Sequence, residues 1–229
     1  FNRANSLRRN GDKDGAIAEL RAAVACDSDF AGAHTDLGAL RKNHKQDIDG
    51  AEKHLRRAIE IDPNDADAHY NLGSLLTNHK QDYDGAEKHY RRAVEIDPGH
   101  IQAHNNLGSL LVDHRQDFDG AEKHYRRATE LDQNAIAHFN LAFLLGDKLH
   151  RWAEAAALMQ TAAELGEDGA AEKAAEYAKK APPSRAEIEA KAAQELREKQ
   201  AASKGKKKGM GQQQRRGGGG KKGGKKQRG

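Results

Sequence analysis

The apolar positions of this chain fall at helical spacing, and the pattern then recurs at a fixed step. Ala68, Leu72, Leu75 and Leu76 mark one face of a helix over residues 66–76. Ala86, Tyr90, Ala93, Val94 and Ile96 mark a second helix. Asp97-Pro98 closes it, because proline cannot continue a helix and disfavours helical geometry in the residue before it. Leu37-Gly38, Leu72-Gly73 and Leu107-Gly108 stand 35 residues apart, and Leu141-Ala142 follows 34 later. Gly15-Ala16, Gly50-Ala51, Gly85-Ala86 and Gly120-Ala121 keep the 35-residue step. A period in this range means one helix pair stacked several times, since no single pair can bury its apolar face alone. Such a chain is expected to offer a surface rather than a reaction centre.

Asp84-Gly85-Ala86-Glu87 reads as the start of the second helix, with Asp84 accepting from free backbone donors and Glu87 reaching back; Asp49/Glu52 and Asp119/Glu122 repeat it. Small residues at Gly73 and Ala86 predict close approach of the paired helices. The string His69-x2-Leu72-Gly73-x2-Leu76, followed by Ala86-x3-Tyr90, Ala93 and Pro98, resembles the tetratricopeptide repeat, whose pattern is W-x2-L-G-x2-Y, A-x3-F and a late proline. Five copies align over residues 1–165. The resemblance implies an all-α fold, a right-handed α-solenoid of about five helix pairs. From the second copy on, the stretch Asn78-His-Lys-Gln-Asp-Tyr83 and its equivalents carry one extra residue, which predicts a longer turn between the helices. The first copy lacks it (Asn10-Gly11-Asp12-Lys13) and starts inside its own first helix, so Phe1 is read as internal to a longer protein.

Composition fits a thin, continuous layer of buried alanine and leucine better than one large core, at 36% hydrophobic and 5% aromatic residues. The single cysteine, Cys26, shares a column with Ile61, Ile96 and Leu131 and is expected to be buried. No apolar run approaches the ~18 residues of a membrane span; the protein is read as intracellular, cytoplasmic or nuclear. Charge divides the chain: residues 203–229 hold eight lysines, three arginines and no acid, a net of +11, while the preceding 202 carry 28 basic and 35 acidic side chains, a net of −7. Beyond the array, residues 166–183 read as a capping helix and proline linker, with a small-residue stripe of Ala170, Ala171, Ala174, Ala175, Ala178 and Ala181. Residues 184–202 read as a charged helix, starting at Ser184-x2-Glu187 and carrying Glu187/Lys191 and Glu195/Lys199 pairs. The tail at 203–229 has little to bury, so ordering entropy predicts disorder.

In the family that the chain resembles, the first helix of each pair lines a concave groove. An asparagine column there can grip the backbone of an extended peptide, because an amide offers both a donor and an acceptor. Asn2, Asp36, Asn71, Asn106 and Asn140 form that column, a solvated helix face being the alternative reading. Thr35, Tyr70, Asn105 and Phe139, with Asn5, Ser74 and Ser109 a turn further, are the candidates for side-chain selectivity. A lysine and arginine clamp for a terminal carboxylate is not evident, since the corresponding columns hold Gly32, Asp67, Gln102 and Ile136, then Thr35, Tyr70, Asn105 and Phe139. Arg8, Arg9, Arg41 and Lys42 make the amino-terminal end of the groove more basic, and Asp113 and Asp147 the other end more acidic.

Other constellations are read as structural. The histidine columns His34/His69/His104/His138, His44/His79/His114 and His54/His89/His124 place their members one helix pair apart, too far to share a metal whose ligands lie near 2 Å. Asp47-x-Asp49 and its copies lack the closing glutamate of a calcium loop. Glu52/Arg56, Glu87/Arg91 and Glu122/Arg126 are spaced to pair along a solvated face. No phosphate loop, carboxylate pair or nucleophilic triad stands apart from the columns, so neither an enzyme nor a cofactor is expected. In the tail, Lys204, Lys206, Lys207, Lys208, Arg215, Arg216, Lys221, Lys222, Lys225, Lys226 and Arg228 can neutralise phosphates of RNA or another polyanion, without aromatic residues to read bases. The expectation is a scaffold or adaptor that binds a peptide or protein segment in its groove, with the tail as a tether. The alternatives are a nucleic-acid or ribonucleoprotein factor that binds chiefly through its tail, and the repeat region of a larger enzyme such as a glycosyltransferase.

Overall fold

The computed structural model describes residues 1–132, 134–183, 188–195 and 197–199, and the chain divides into two units, residues 1–181 and 182–229. The first unit is a succession of helix pairs: α1 (Asn2–Arg9) with α2 (Lys13–Cys26), α3 (Ala31–Leu40) with α4 (Ile48–Ile61), α5 (Ala66–Leu75) with α6 (Tyr83–Ile96), α7 (Ile101–Leu110) with α8 (Phe118–Leu131), and α9 (Ala135–Phe143) with α10 (Trp152–Glu164). A final helix, α11 (Ala170–Lys180), packs on α10. No strand occurs among the described residues. In the second unit, residues 188–195 and 197–199 are helical and exposed. The tail predicted to be disordered, 203–229, lies outside the described residues.

Each second helix packs on the first helix of its own pair and on that of the next, which makes a solenoid. Leu72, Leu75, Leu107 and Leu141 from first helices, and Ala86, Ala93, Leu55 and Tyr90 from second helices, are fully buried. Close approach depends on glycine where the facing residue is large: a Cβ on Gly73 would stand 2.9 Å from the Tyr90 ring, and one on Gly108 2.7 Å from the Tyr125 ring. The alanine stripe of α11 buries Ala170 and Ala174, but its largest contribution is Tyr177, fully buried with its hydroxyl donating to Asp147 at 3.0 Å.

The additional residue of the later repeats does not lengthen the turn. It is absorbed into a π-helical turn that extends each first helix, over Arg41–Lys45, Leu76–Lys80, Leu111–Arg115 and Leu144–Lys148. In three of the repeats Gln46, Gln81 and Gln116 follow with φ of 52°, 55° and 54°. The next aspartate N–H then donates back six residues, Asp82 to the Leu76 carbonyl at 3.1 Å and Asp117 to that of Leu111 at 3.0 Å. This is a widened relative of the helix cap that glycine usually supplies. In the first repeat Gly11, at φ 84°, makes the left-handed step and α1 ends without a π turn.

Two other expectations are corrected. The capping acid of the second helices is not Asp84 but Asp82, which accepts from the Gly85 N–H at 2.9 Å; Asp12, Asp47 and Asp117 do the same for Gly15, Gly50 and Gly120. Asp84 and Glu87 instead receive Arg115 from the next repeat, as Asp49 and Glu52 receive Lys80. Cys26 is exposed rather than buried. It ends α2, where its column mates Ile61, Ile96 and Leu131 are themselves only half-buried, and among the described residues the α1–α2 pair has a neighbour on one side alone.

Candidate peptide-binding face

Consecutive first helices touch one another, α3 with α5, α5 with α7 and α7 with α9, more closely than consecutive second helices do. First helices therefore form one wall of the array, and the helical repeat turns the residues at 67, 70, 71, 74 and 78, with their equivalents, towards it.

The asparagine column is present on this wall but is not a uniform ladder of free amides. Asn71 Nδ2 donates to the Asp67 carbonyl of its own helix at 2.9 Å. Asn106 Nδ2 donates to the Tyr90 hydroxyl at 3.3 Å. Asn2 is exposed and Asn140 half-buried. Asp36 is held by Arg8 at 3.2 Å, and burial pushes its carboxyl above the usual range against the pull of Arg8. In the neighbouring column, buried Thr35 donates to Asp65 at 2.6 Å, and the Tyr70 ring lies 4.8 Å from that of His100. Asn105 is buried, and its Oδ1 has no hydrogen-bond partner among the described residues. Phe139 is half-buried. One turn further, Ser109 shares a hydrogen bond of 2.9 Å with the Tyr125 hydroxyl, and Ser74 accepts from Lys42 Nζ at 3.0 Å. Asn5 is half-buried on α1.

The basic end foreseen for this groove is largely consumed. Lys42 is buried, and burial lowers its affinity for the proton; Arg41 pairs with Asp47 at 2.7 Å. At the other end, Asp147 is engaged by Tyr177 and by Lys173 at 3.6 Å, whereas no cationic side chain reaches Asp113 among the described residues. Beside Asp113, between α7 and α9, a pocket of about 260 Å³ is lined by Ser109, Val112, Asp113, Tyr125, Phe139, Asn140, Phe143 and Leu144. Three of the candidates, Ser109, Phe139 and Asn140, come together there. Val112, Tyr125, Phe143 and Leu144 escaped the sequence reading, although Phe143 continues the column of Ser74 and Ser109 and carried the signal. The tail residues proposed for polyanions lie outside the described residues.

The histidines meet across columns rather than along them. His34 faces His54, His69 faces His89, and His104 faces His124, with Nδ1···Nδ1 separations of 2.9, 2.9 and 3.0 Å. Nε2 of His69 lies 3.3 Å from the Pro63 carbonyl, which can only accept, so that nitrogen carries the proton; Nδ1 of the neutral ring then accepts from His89. His104 with Pro98, and His34 with Ser28, repeat the arrangement at 3.3 and 3.2 Å. No group of three metal-ligating side chains occurs among the described residues. No helix of the described residues is long and apolar enough to cross a membrane.

Comparison with known proteins agrees with the geometry. One family model described as tetratricopeptide repeat matches residues 44–101, and another of the same description matches 78–142. No curated protein sequence matches significantly. Among solved structures, PilF of Pseudomonas aeruginosa superimposes with a TM-score of 0.65 at 20% identity, over 76% of this chain and 85% of that one. YrrB, a TPR protein with an unusual peptide-binding site, gives 0.58 at 24% identity over 78% and 89%. MamA of Desulfovibrio magneticus RS-1, from residue 41 to its end, gives 0.59 at 22% over 72% and 91%. Residues 44–142 thus match the tetratricopeptide-repeat family, and the chain has the helical solenoid fold of these structures.

Proposed function

We propose that this tetratricopeptide-repeat array is a non-enzymatic scaffold that binds a peptide or protein segment along the wall formed by α3, α5, α7 and α9. The observation that carries the reading is the wall itself, where amides, hydroxyls and an apolar pocket succeed one another along stacked first helices. YrrB, of the same fold, is described as having a peptide-binding site. The test is selection of phage-displayed random dodecapeptides on the full chain, followed by anisotropy titration. Replacing Asn71, Asn106 and Asn140 together with alanine is expected to weaken selected peptides about tenfold. Unchanged affinity in a folded variant, or no selected peptide at all, refutes the reading.

A second reading is favoured by the net charge of +11 over residues 203–229. In it the tail tethers the scaffold to RNA or another polyanion, or serves as the main binding element of a nucleic-acid-associated factor. Affinity for a duplex should then fall with salt at a slope of about −0.9 per phosphate contact. Deletion of residues 203–229 should abolish that binding while leaving selected peptides bound; duplex binding that survives the deletion refutes the tether.

A further inference from the structure

The fifth repeat breaks the polar character of the wall. Where the second to fourth repeats place Gly32, Asp67 and Gln102, it places Ile136, and where they place Ala39, Ser74 and Ser109, it places Phe143. With Phe139 between them, these side chains stand at i, i+3 and i+7 on α9, one apolar stripe on the side facing α7. Ile136 is 55% and Phe143 39% exposed, which leaves bulky apolar surface in water within the wall that the scaffold reading assigns to a partner. The adjoining pocket of about 260 Å³ is lined on its apolar side by Val112, Phe139, Phe143 and Leu144. That volume lies below the roughly 300–1,000 Å³ of small-molecule sites, so it suits one side chain rather than a cofactor.

Charge narrows the partner further. Asp113, exposed at the pocket rim, has no cationic neighbour among the described residues. Along the same wall, Asp67 is exposed, paired with His100 at 3.4 Å and attracted by Arg8. Arg8 serves Asp36 and Asp67 at the amino-terminal end, and Lys42, buried on Ser74, does not reach Asp113. The carboxyl-terminal half of the wall therefore presents an apolar socket beside an uncompensated negative charge, and a complementary segment carries a bulky apolar residue next to a positive one.

We propose that this socket is the anchoring subsite of the scaffold, taking one aromatic or leucine-sized side chain of the bound segment between α7 and α9 while Asp113 takes a lysine or arginine within two residues of that anchor. The proposal rests on the scaffold reading and names the chemistry of its partner. Burial of the anchor supplies affinity, and the carboxylate selects its neighbour.

The test uses the full chain and the same dodecapeptide selection. Selected sequences are expected to share an apolar anchor with a basic residue one or two positions away. Phe143→Ser should weaken them about tenfold or more. Asp113→Lys, at an exposed position where folding is not at stake, should reverse the preference so that a fresh selection returns an acidic residue beside the anchor. Selected peptides that lose affinity in the triple asparagine variant but bind Phe143→Ser and Asp113→Lys as tightly as the parent overturn this proposal and leave the groove intact. Selected peptides without the apolar and basic pair also overturn it. Failure to select any peptide overturns both readings.

Discussion

Acidification should loosen the array through its three histidine pairs, and the size of the effect follows from their burial. Burial, with Arg41 and His34 beside His54, His69 and Arg56 beside His89, and His104 and Arg91 beside His124, lowers these second-helix rings from 6.5 to about 4. A folded pKa below the unfolded one means that the unfolded chain binds more protons between the two values. The stabilisation is therefore complete above about pH 6.5, falls as pH drops, and is gone below about pH 4. At pH 5 a shift of this size amounts to about 2 kcal/mol per ring. The rings are only half-buried, and screening by solvent reduces this to about 1 kcal/mol each. Three pairs then lose about 3 kcal/mol between pH 7.5 and pH 5. With a urea slope of about 2 kcal/mol/M the midpoint should fall by about 1.5 M. Carboxylates and the remaining histidines titrate as well, so the assay is a difference: urea unfolding followed by circular dichroism at both pH values, for the parent and for a chain carrying His54→Gln, His89→Gln and His124→Gln. Glutamine still donates to the first-helix ring but takes up no proton. The triple variant should show little of the parent's midpoint shift; a variant that loses as much stability on acidification as the parent refutes the reasoning.

Gly108→Ala should destabilise by about 1–2 kcal/mol, because contact with the Tyr125 ring outweighs the helix propensity gained; in a Tyr125→Ala background its cost should largely vanish, and thermal melts of the double-mutant cycle that add within error would refute the contact. Asp117→Ala removes the acceptor for the Gly120 N–H and should cost about 1 kcal/mol in urea unfolding; a change under a few tenths would mean that water caps α8 as well. Gln116→Gly relieves a left-handed residue at φ 54° and should raise stability by about 0.5–1 kcal/mol; an unchanged or lower midpoint would show that the π turn does not hold Gln116 under strain.

The helix pairs were legible because their signals are local and repeated. The 35-residue step, the small residues at Gly38, Gly73 and Gly108 and the closing Asp97-Pro98 each act within one pair, and the pairs formed where the pattern placed them. What stayed hidden was set by backbone geometry that several sequences share. An extra residue can lengthen a loop or widen a helical turn, and polarity does not separate the two. Glutamine at positions 46, 81 and 116 gave no glycine-like sign of the left-handed step that decides it. The same geometry moved the cap from Asp84 to Asp82, since both acids stand at the start of the helix and Asp82 is the one outside it with non-helical backbone.

The columns of equivalent residues carry only part of the candidate site. A column joins positions one repeat apart, and it marks the wall of first helices, because all its members face the same way. Contacts between different columns are invisible to it. His69 and His89 lie 20 residues apart in the sequence, and nothing about either column states that α5 and α6 bring them to hydrogen-bond distance. The apolar socket was hidden for the opposite reason: Ile136 and Phe143 are departures from their own columns, and a method that looks for agreement discards them. In a repeat array the shared residues hold the modules together, whereas discrimination between partners can arise only where one module differs from its neighbours. If the array binds a segment as proposed, the differences in α9, more than the asparagines that recur, are where selectivity has physical means to reside.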